Sequence, residues 1–305
     1  MSRAPRAPLD RAALGRTLTR IANAGSRAAL EGLAAGAARG ARRIGLTGSP
    51  GTGKSTLMRC LAAASLARGD RVGLLAVDPS SPYSRGAILG DRIRMGDMAE
   101  HPECFFRSLA SRSAHDGLAD NLADMLCAME QHGFDELLVE TVGVGQVELG
   151  VRALVDCLVL VLMPESGDQV QAMKAGVIET ADVLVVNKAD LPGAGKIAAE
   201  VRDVLGRRRR AADQWAPPVI VASERDAASH QALAQAIAAH FAWRRGPDDG
   251  TARRRARAAY HARSVLNQRV EELLAELPSA AFDLPLRELH RELVARLAAD
   301  LDDRD

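Results

Sequence analysis

Residues 48–56 read Gly48-Ser49-Pro50-Gly51-Thr52-Gly53-Lys54-Ser55-Thr56. The run fits G-x-x-x-x-G-K-[ST], and its flanks suit the pattern: the apolar run RIGLTG (43–48) before it, and after it a helix with Leu57, Leu61 and Ala64 on one face. A strand, a glycine-rich turn and a helix in that order make an anion cradle. Gly48, Gly51 and Gly53 let the backbone curl so that successive N–H groups face phosphate oxygens, and the helix N-terminus adds partial positive charge. Lys54 is placed to bridge the β- and γ-phosphates of a nucleotide, and the Ser55 hydroxyl to ligate Mg²⁺.

Outward from this loop the chain alternates. Apolar runs at 43–48, 72–78, 136–141, 157–164, 183–188 and 219–224, with a weaker seventh at 105–110, read as strands. Their unbroken Val/Ile/Leu character suits strands covered on both faces, as in a parallel sheet. Helices are expected at Ser55–Arg68, Gly117–Gln131, Asp168–Glu179, Ile197–Leu205 and Ala227–Phe241. The fold class is therefore α/β, a mostly parallel open sheet flanked by helices. Helical extensions are expected at both ends: residues 9–40 read as two helices, with Leu14, Leu18 and Ile21 on one face of the first and Leu30 and Leu33 on the second. After Trp243 a stripe of Leu266, Val270, Leu273, Leu274 and Leu277 precedes a last helix opened by Asp283 and Pro285. The expected domains are 1–40 (helical extension), 41–245 (nucleotide domain) and 246–305 (helical arm). The arm's stripe demands burial, either on its own domain or against a second subunit.

Composition narrows the function. Lys plus Arg number 40 against 39 Asp plus Glu, so the net charge of +1 gives no reason to expect a nucleic-acid partner. The runs Arg207–Arg210 and Arg253–Arg255 lack interleaved aromatics and read as solvated helix ends. Cys60, Cys104, Cys127 and Cys157 lie far apart, against disulfides or a cysteine-built zinc site, and Cys60, Cys127 and Cys157 sit in apolar contexts that suit a core. The N-terminus is charged without an apolar stretch, and no run is long enough to span a bilayer, so a soluble cytoplasmic protein is expected.

Phosphate-bound magnesium needs carboxylates, and two strands end in one: Asp78 after VGLLAV and Glu140 in ELLVE. In an open parallel sheet both would face the loop of Gly48–Ser55. Asp91, beyond the stiff Pro79–Pro82 segment, could reach the same metal or its water shell, although Asp also serves caps and turns. Glu140-Thr141-Val142-Gly143 replaces the usual D-x-x-G, and the Gly143 N–H could sense the γ-phosphate through a flexible Gly143-Val144-Gly145. Val144 stands where Ras-like enzymes carry a water-orienting glutamine. Gln146 could take that role or serve as a switch contact, so slow hydrolysis alone and faster turnover with a partner are expected.

Asn187-Lys188-Ala189-Asp190 closes a late strand. Guanine presents N1–H and a 2-amino group on one edge, and a single carboxylate, Asp190, can accept both; adenine would set a lone pair against it. The Lys188 stem would cover the base and Asn187 would tie the loop to its neighbours. Ser223 and Glu224, closing the next strand, are placed to offer backbone N–H groups to the guanine carbonyl.

Together GSPGTGKST (48–56), VDPSSPYSRGAILGDRIRM (77–95), VETVGVGQVE (139–148), MPESGDQVQAMKAGVIETAD (163–182) and NKAD (187–190) resemble the MeaB/ArgK-type GTPases. These are methylmalonyl-CoA mutase-associated chaperones, also called LAO/AO transport system kinases. The resemblance implies a P-loop NTPase of the SIMIBI kind and phosphate and Mg²⁺ held by Lys54 and Ser55, with Asp78, Asp91 and Glu140 as metal-linked acids. It implies a switch at 140–150 and a second at 163–174 containing Asp168, Gln171 and Lys174. It further implies a homodimer joined through C-terminal helices, and GTP-gated service to a cobalamin-dependent acyl-CoA mutase, with no cobalamin on this chain. The region after residue 240 departs most from the pattern.

Three other functions fit parts of the sequence. A nickel-insertion GTPase would show His-rich tracts, but the seven histidines are scattered. A protein kinase would want an adenine pocket, against which NKAD argues. A nucleotide-gated scaffold without significant turnover differs only in kinetics.

Overall fold

The computed structural model describes residues 6–26, 40–79, 98, 100–111, 118, 121–141, 146–164, 176–207, 211, 213–244 and 249–302. Seven strands form one sheet: β1 (Arg42–Thr47), β2 (Val72–Pro79), β3 (Cys104–Ser111), β4 (Glu136–Thr141), β5 (Cys157–Leu162), β6 (Val183–Val186) and β7 (Val219–Val221). Their order is β3-β2-β4-β1-β5-β6-β7, and every pairing is parallel. The weak seventh run is thus a full edge strand. Central β1 lies between β4 and β5, where the chain's crossovers change direction, and ligand crevices of open α/β sheets form beyond the strand ends at such a point.

The helices are α1 (Arg11–Ala22), α2 (Lys54–Ala67), α3 (Leu122–Gln131), α4 (Gln146–Leu154), α5 (Ala194–Gly206), α6 (Ala227–Trp243), α7 (Asp249–Glu276) and α8 (Leu286–Asp302). Alternate strand residues face opposite layers. Leu75, Leu137 and Leu158 pack beneath α1, α3 and α4, and Leu160, Leu162 and Leu184 beneath α5. Ile44, Leu46, Leu74 and Val159 pack against α2 and α6 on the other face. Both faces are covered, which is why the strands read as unbroken apolar runs.

Four expectations change. The helix expected from Gly117 begins at Leu122, because Asn121 stands in the left-handed region at φ 59°, outside helical geometry. Residues 146–150 are helical rather than loop, forming the first turns of α4. The arm's stripe is buried at Leu273 and Leu277 and half-buried at Val270 and Leu274, but at its start Val265 is buried in place of Leu266, which is 58% exposed, one residue and so about 100° round the helix. Cys60 and Cys127 are half-buried, whereas Cys104 joins Cys157 in the interior. Residues 30 and 33, and with them the second N-terminal helix, lie outside the described residues, as does most of the 168–179 helix, of which a single 3-10 turn (Val177–Glu179) is described.

Polar contacts fasten α7 along its length. Arg253 and Arg257 reach the Asp156 carboxylate at 3.0 and 2.6 Å, so Arg253 is an ion-paired residue rather than a solvated helix end. Ser26 donates through N–H and hydroxyl to Glu272 at 2.9 and 2.6 Å. His261 stands 2.9 Å from the buried Asp124 carboxylate, which raises the imidazole pKa above its ordinary value. A raised folded pKa makes the contribution fully present below the unfolded value, about 6.5, and lost as pH rises through the folded value. The wild-type chain is therefore expected to lose stability relative to His261→Ala across that interval, in denaturant titrations over pH 5.5–8.5; parallel curves would contradict the pairing.

Candidate nucleotide site

The chain leaves β1 through Gly48, at φ 141°, where an added Cβ would collide with the Val161 carbonyl oxygen. Pro50 and Gly51 form the exposed tip of the loop. Gly53, at φ 89°, leads into α2, and a Cβ there would collide with Asn187 Nδ2. Gly48→Ala should therefore distort the cradle and weaken nucleotide binding more than about tenfold, measured by calorimetry with the melting temperature as a folding control. No side chain caps α2, so its first N–H groups are left for a ligand.

Within the loop, the Thr52 hydroxyl donates to Ser49 O at 3.0 Å and Lys54 Nζ donates to the same oxygen at 2.8 Å. Lys54 is 3% exposed, its ammonium folded onto the loop it would use to hold phosphate. Moving that donor from a backbone carbonyl to phosphate oxygens keeps the charge hydrogen-bonded and improves its partner.

The Ser55 hydroxyl donates to Glu140 Oε1 at 2.8 Å. Glu140 lies at the C-terminal end of β4 in register with Ala76 of β2, so Asp78 ends the neighbouring strand beyond it. One alcohol and a strand-end carboxylate in direct contact give the hard oxygen donors that Mg²⁺ prefers, so these residues fit the ion. The Thr141 hydroxyl beside Glu140 and the Thr47 hydroxyl at the end of β1 are both buried without a hydrogen bond among the described residues. Neither stands out in the sequence, where the available signal is a strand-end Thr next to a candidate metal ligand; a buried hydroxyl so placed wants a partner.

The base-recognition segment is joined to the phosphate loop. Asn187 Nδ2 donates to Thr52 O at 2.7 Å, and its backbone N–H donates to Leu162 O at 2.8 Å. Lys188 adopts φ 56°, turning the chain so that Asp190 stands exposed, where its carboxylate accepts from the Ser223 hydroxyl at 3.2 Å. The Ser223 N–H points to Ser229 Oγ at 3.4 Å, and the Ala222 N–H is taken by Val186 O at 2.9 Å. Glu224 is exposed, 3.9 Å from Arg59.

The structure thus brings together Lys54, Ser55, Glu140, Thr52 and Asn187, with Asp190 and Ser223 paired nearby in sequence order along β6 and β7. Asp78 is placed by its strand backbone alone, and Gln146 by the start of α4; their side chains lie outside the description. Asp91, Gly143, Val144, Gly145, Asp168, Gln171 and Lys174 lie outside the described residues.

Comparison with known proteins bears on the family and the fold. The family model described as methylmalonyl Co-A mutase-associated GTPase MeaB matches residues 14–279. A protein of Caulobacter vibrioides is 35% identical over 302 residues, covering 95% of this chain and 92% of that one. One from Pyrococcus horikoshii, whose name calls it a GTPase, is 44% identical over 179 residues; the match spans 58% of this chain and 56% of that protein, so the chain covers little over half the length of that relative. A crystal structure described as LAO/AO transport system kinase superposes with a TM-score of 0.65 at 23% identity, covering 95% of this chain and 94% of the other, which supports the fold.

Proposed function

Because the chain belongs to the family of methylmalonyl Co-A mutase-associated GTPases, MeaB, we propose that it binds GTP and GDP at Gly48–Thr56 and hydrolyses GTP to GDP and phosphate. The observation that carries this reading is the pair of contacts that join three motifs: Ser55 to Glu140 and Asn187 to Thr52. In this reading Ser55 and Glu140, with Asp78 and Asp91, hold Mg²⁺, which when bound would offset charge on the phosphates. Lys54 releases Ser49 O and binds the phosphates, Asp190 accepts from guanine, and Lys188 covers the base. Gly143, Val144 and Gly145 respond to the γ-phosphate, with Gln146 at the helical end of that segment. Ser223 holds the Asp190 carboxylate in place, and Glu224 lies at the rim of the base site.

The finer part of the proposal concerns the partner. GTP state gates service to a cobalamin-dependent acyl-CoA mutase, relayed through residues 163–174, where Asp168, Gln171 and Lys174 lie. Residues 246–305 act as the dimer arm beside the nucleotide domain (41–245) and N-terminal extension (1–40). Exposed Leu266, Phe282, Leu284, Leu286 and Val294 on this arm support that role, since apolar side chains gathered on one segment favour burial against a partner. No helix among the described residues is long and apolar enough to cross a membrane.

Val144 offers no hydrogen bond to water, so turnover is expected to be slow alone. A purified acyl-CoA mutase is expected to raise single-turnover GTP hydrolysis by at least about tenfold, read as released phosphate under saturating enzyme. Hydrolysis unchanged by the mutase would remove the partner reading and leave a GTPase. Nucleotide binding without hydrolysis under either condition would instead favour a nucleotide-gated scaffold.

A further inference from the structure

Behind Asp190 and Ser223 lies one buried hydroxyl to which the nucleotide site described above assigns no role. Ser229 stands in the first turn of α6, whose buried face is Ser229, Leu233, Ile237 and His240. Leu233 and Ile237 pack with Ala222 in the core between α6 and the sheet. Ser229 is 5% exposed, at a position on that face whose helical spacing suits an apolar residue. A serine buried there needs partners for its hydroxyl.

It has two, and they differ in kind. The hydroxyl donates to Asp226 O at 2.6 Å, and Oγ accepts from the Ser223 N–H at 3.4 Å. The first is the local contact that serines commonly make at a helix start. The second reaches back to the residue that pairs with Asp190. One hydroxyl serves both, because its single proton goes to Asp226 O and its lone pairs remain for Ser223. The turn between them is closed by the Asp226 N–H on Ser223 O at 3.0 Å, and Asp226 caps α6 by accepting from the Ala228 N–H at 3.1 Å. Residues 223–226 are thereby strapped to a helix whose inner face is core.

Ser223 is where this strap bears on the base site. Its N–H goes to Ser229, while its hydroxyl donates to Asp190 Oδ1 at 3.2 Å. Fixing the N–H fixes Cβ with it, so the hydroxyl meets Asp190 from one of its staggered positions. Adjacent Ala222 joins the two strand ends through backbone alone, donating to Val186 O and accepting from the Ala189 N–H, both at 2.9 Å. The Asp190 carboxylate is exposed, and among the described residues its side-chain partner is Ser223.

We propose that Ser229 is a positioning residue for guanine recognition: by holding the Ser223 N–H it aims the Ser223 hydroxyl, and through it the Asp190 carboxylate, at the N1–H and 2-amino edge of the base. This role rests on Asp190 being the guanine acceptor, as proposed above. It also turns the Ser223 N–H away from the guanine carbonyl, which is left to the Glu224 N–H.

Calorimetry on the full chain with Mg²⁺ compares GDP, ADP and inosine diphosphate, whose base keeps N1–H and the carbonyl but lacks the 2-amino group. Ser229→Ala removes both contacts without adding bulk. It should lower GDP affinity about fivefold and inosine diphosphate affinity about twofold, since a carboxylate that swings off a two-donor edge loses more with the base that carries both donors. A loosened start of α6 with no bearing on Asp190 would lower both by the same factor. In a Ser223→Ala background the GDP loss caused by Ser229→Ala should shrink below about twofold, because the hydroxyl it acts through is gone. If melting curves show that Ser229→Ala does not fold, Ser229→Cys, similar in size and weaker as donor and acceptor, takes its place with the same expectations. Equal losses for the two nucleotides, or an undiminished loss in the Ser223→Ala background, would overturn the role of Ser229 and leave Asp190 as the guanine acceptor. A wild-type chain that binds GDP and ADP equally would overturn both.

Discussion

Lys54→Ala is expected to lower single-turnover GTP hydrolysis by on the order of 10²–10³-fold, the loss typical when one preorganised donor to developing charge is removed. The ammonium is 3% exposed and satisfied by Ser49 O, in the loop that curls around the phosphate position. Alanine removes both the positive charge and the stem that fills this interior. Binding should suffer as well, because the lysine contacts ground-state phosphate as well as the transition state. Lys54→Arg separates charge from shape: a planar fork cannot sit where a compact ammonium folds back on one carbonyl, so it should rescue little. Rapid-quench assays at saturating enzyme give the rate, and calorimetry with GDP gives the ground-state share. A Lys54→Ala protein that hydrolyses GTP at the wild-type rate would leave the loop without its chemical role.

Asp190→Asn should lower affinity for GDP by about 10²-fold or more, since two hydrogen bonds to a charged acceptor are lost. The carboxylate is exposed and held by the Ser223 hydroxyl at 3.2 Å, so it is oriented before any base arrives. Asparagine keeps the shape but replaces one acceptor oxygen with a donor NH₂, which then opposes the guanine 2-amino group. The same change suits xanthine, which carries a carbonyl at that ring position. Affinity for xanthosine diphosphate should therefore rise in the variant as GDP affinity falls. Paired calorimetric titrations read both, and equal losses for the two bases would mean that Asp190 acts on the loop rather than on the base.

These two residues were legible because each sits in a pattern that backbone geometry enforces. A G-x-x-x-x-G-K-S run between an apolar strand and a helix has few other uses, and the structure gives it positive φ at Gly48, Gly51 and Gly53. The strands were legible for a similar reason: both sheet faces are covered, so Val, Ile and Leu run without interruption. Boundaries set by single backbone conformations were not legible. Asparagine enters the left-handed region more readily than other non-glycine residues, but nothing in the neighbouring pattern says that Asn121 does so, and the start of α3 moved with it. The face that α7 buries depends on where Asp156, Asp124 and Ser26 lie in space, and periodicity alone says nothing of that. The cluster of Arg152, Asp182, Trp215 and His240 was illegible for the same reason: Asp182 pairs with Arg152, faces His240 and gives its carbonyl to Trp215, and the four come from separate segments that only the assembled sheet brings together.

The bond from Asn187 to the Thr52 carbonyl has a further consequence. With the Thr52 hydroxyl turned onto Ser49 O, it fixes the phosphate loop from two sides by contacts that protein groups alone supply. The ordering entropy of that segment is thus spent once, during folding, and is not charged again at each encounter. Capture by the loop should accordingly be fast, with the Lys54 side chain rather than the loop backbone as the part that moves.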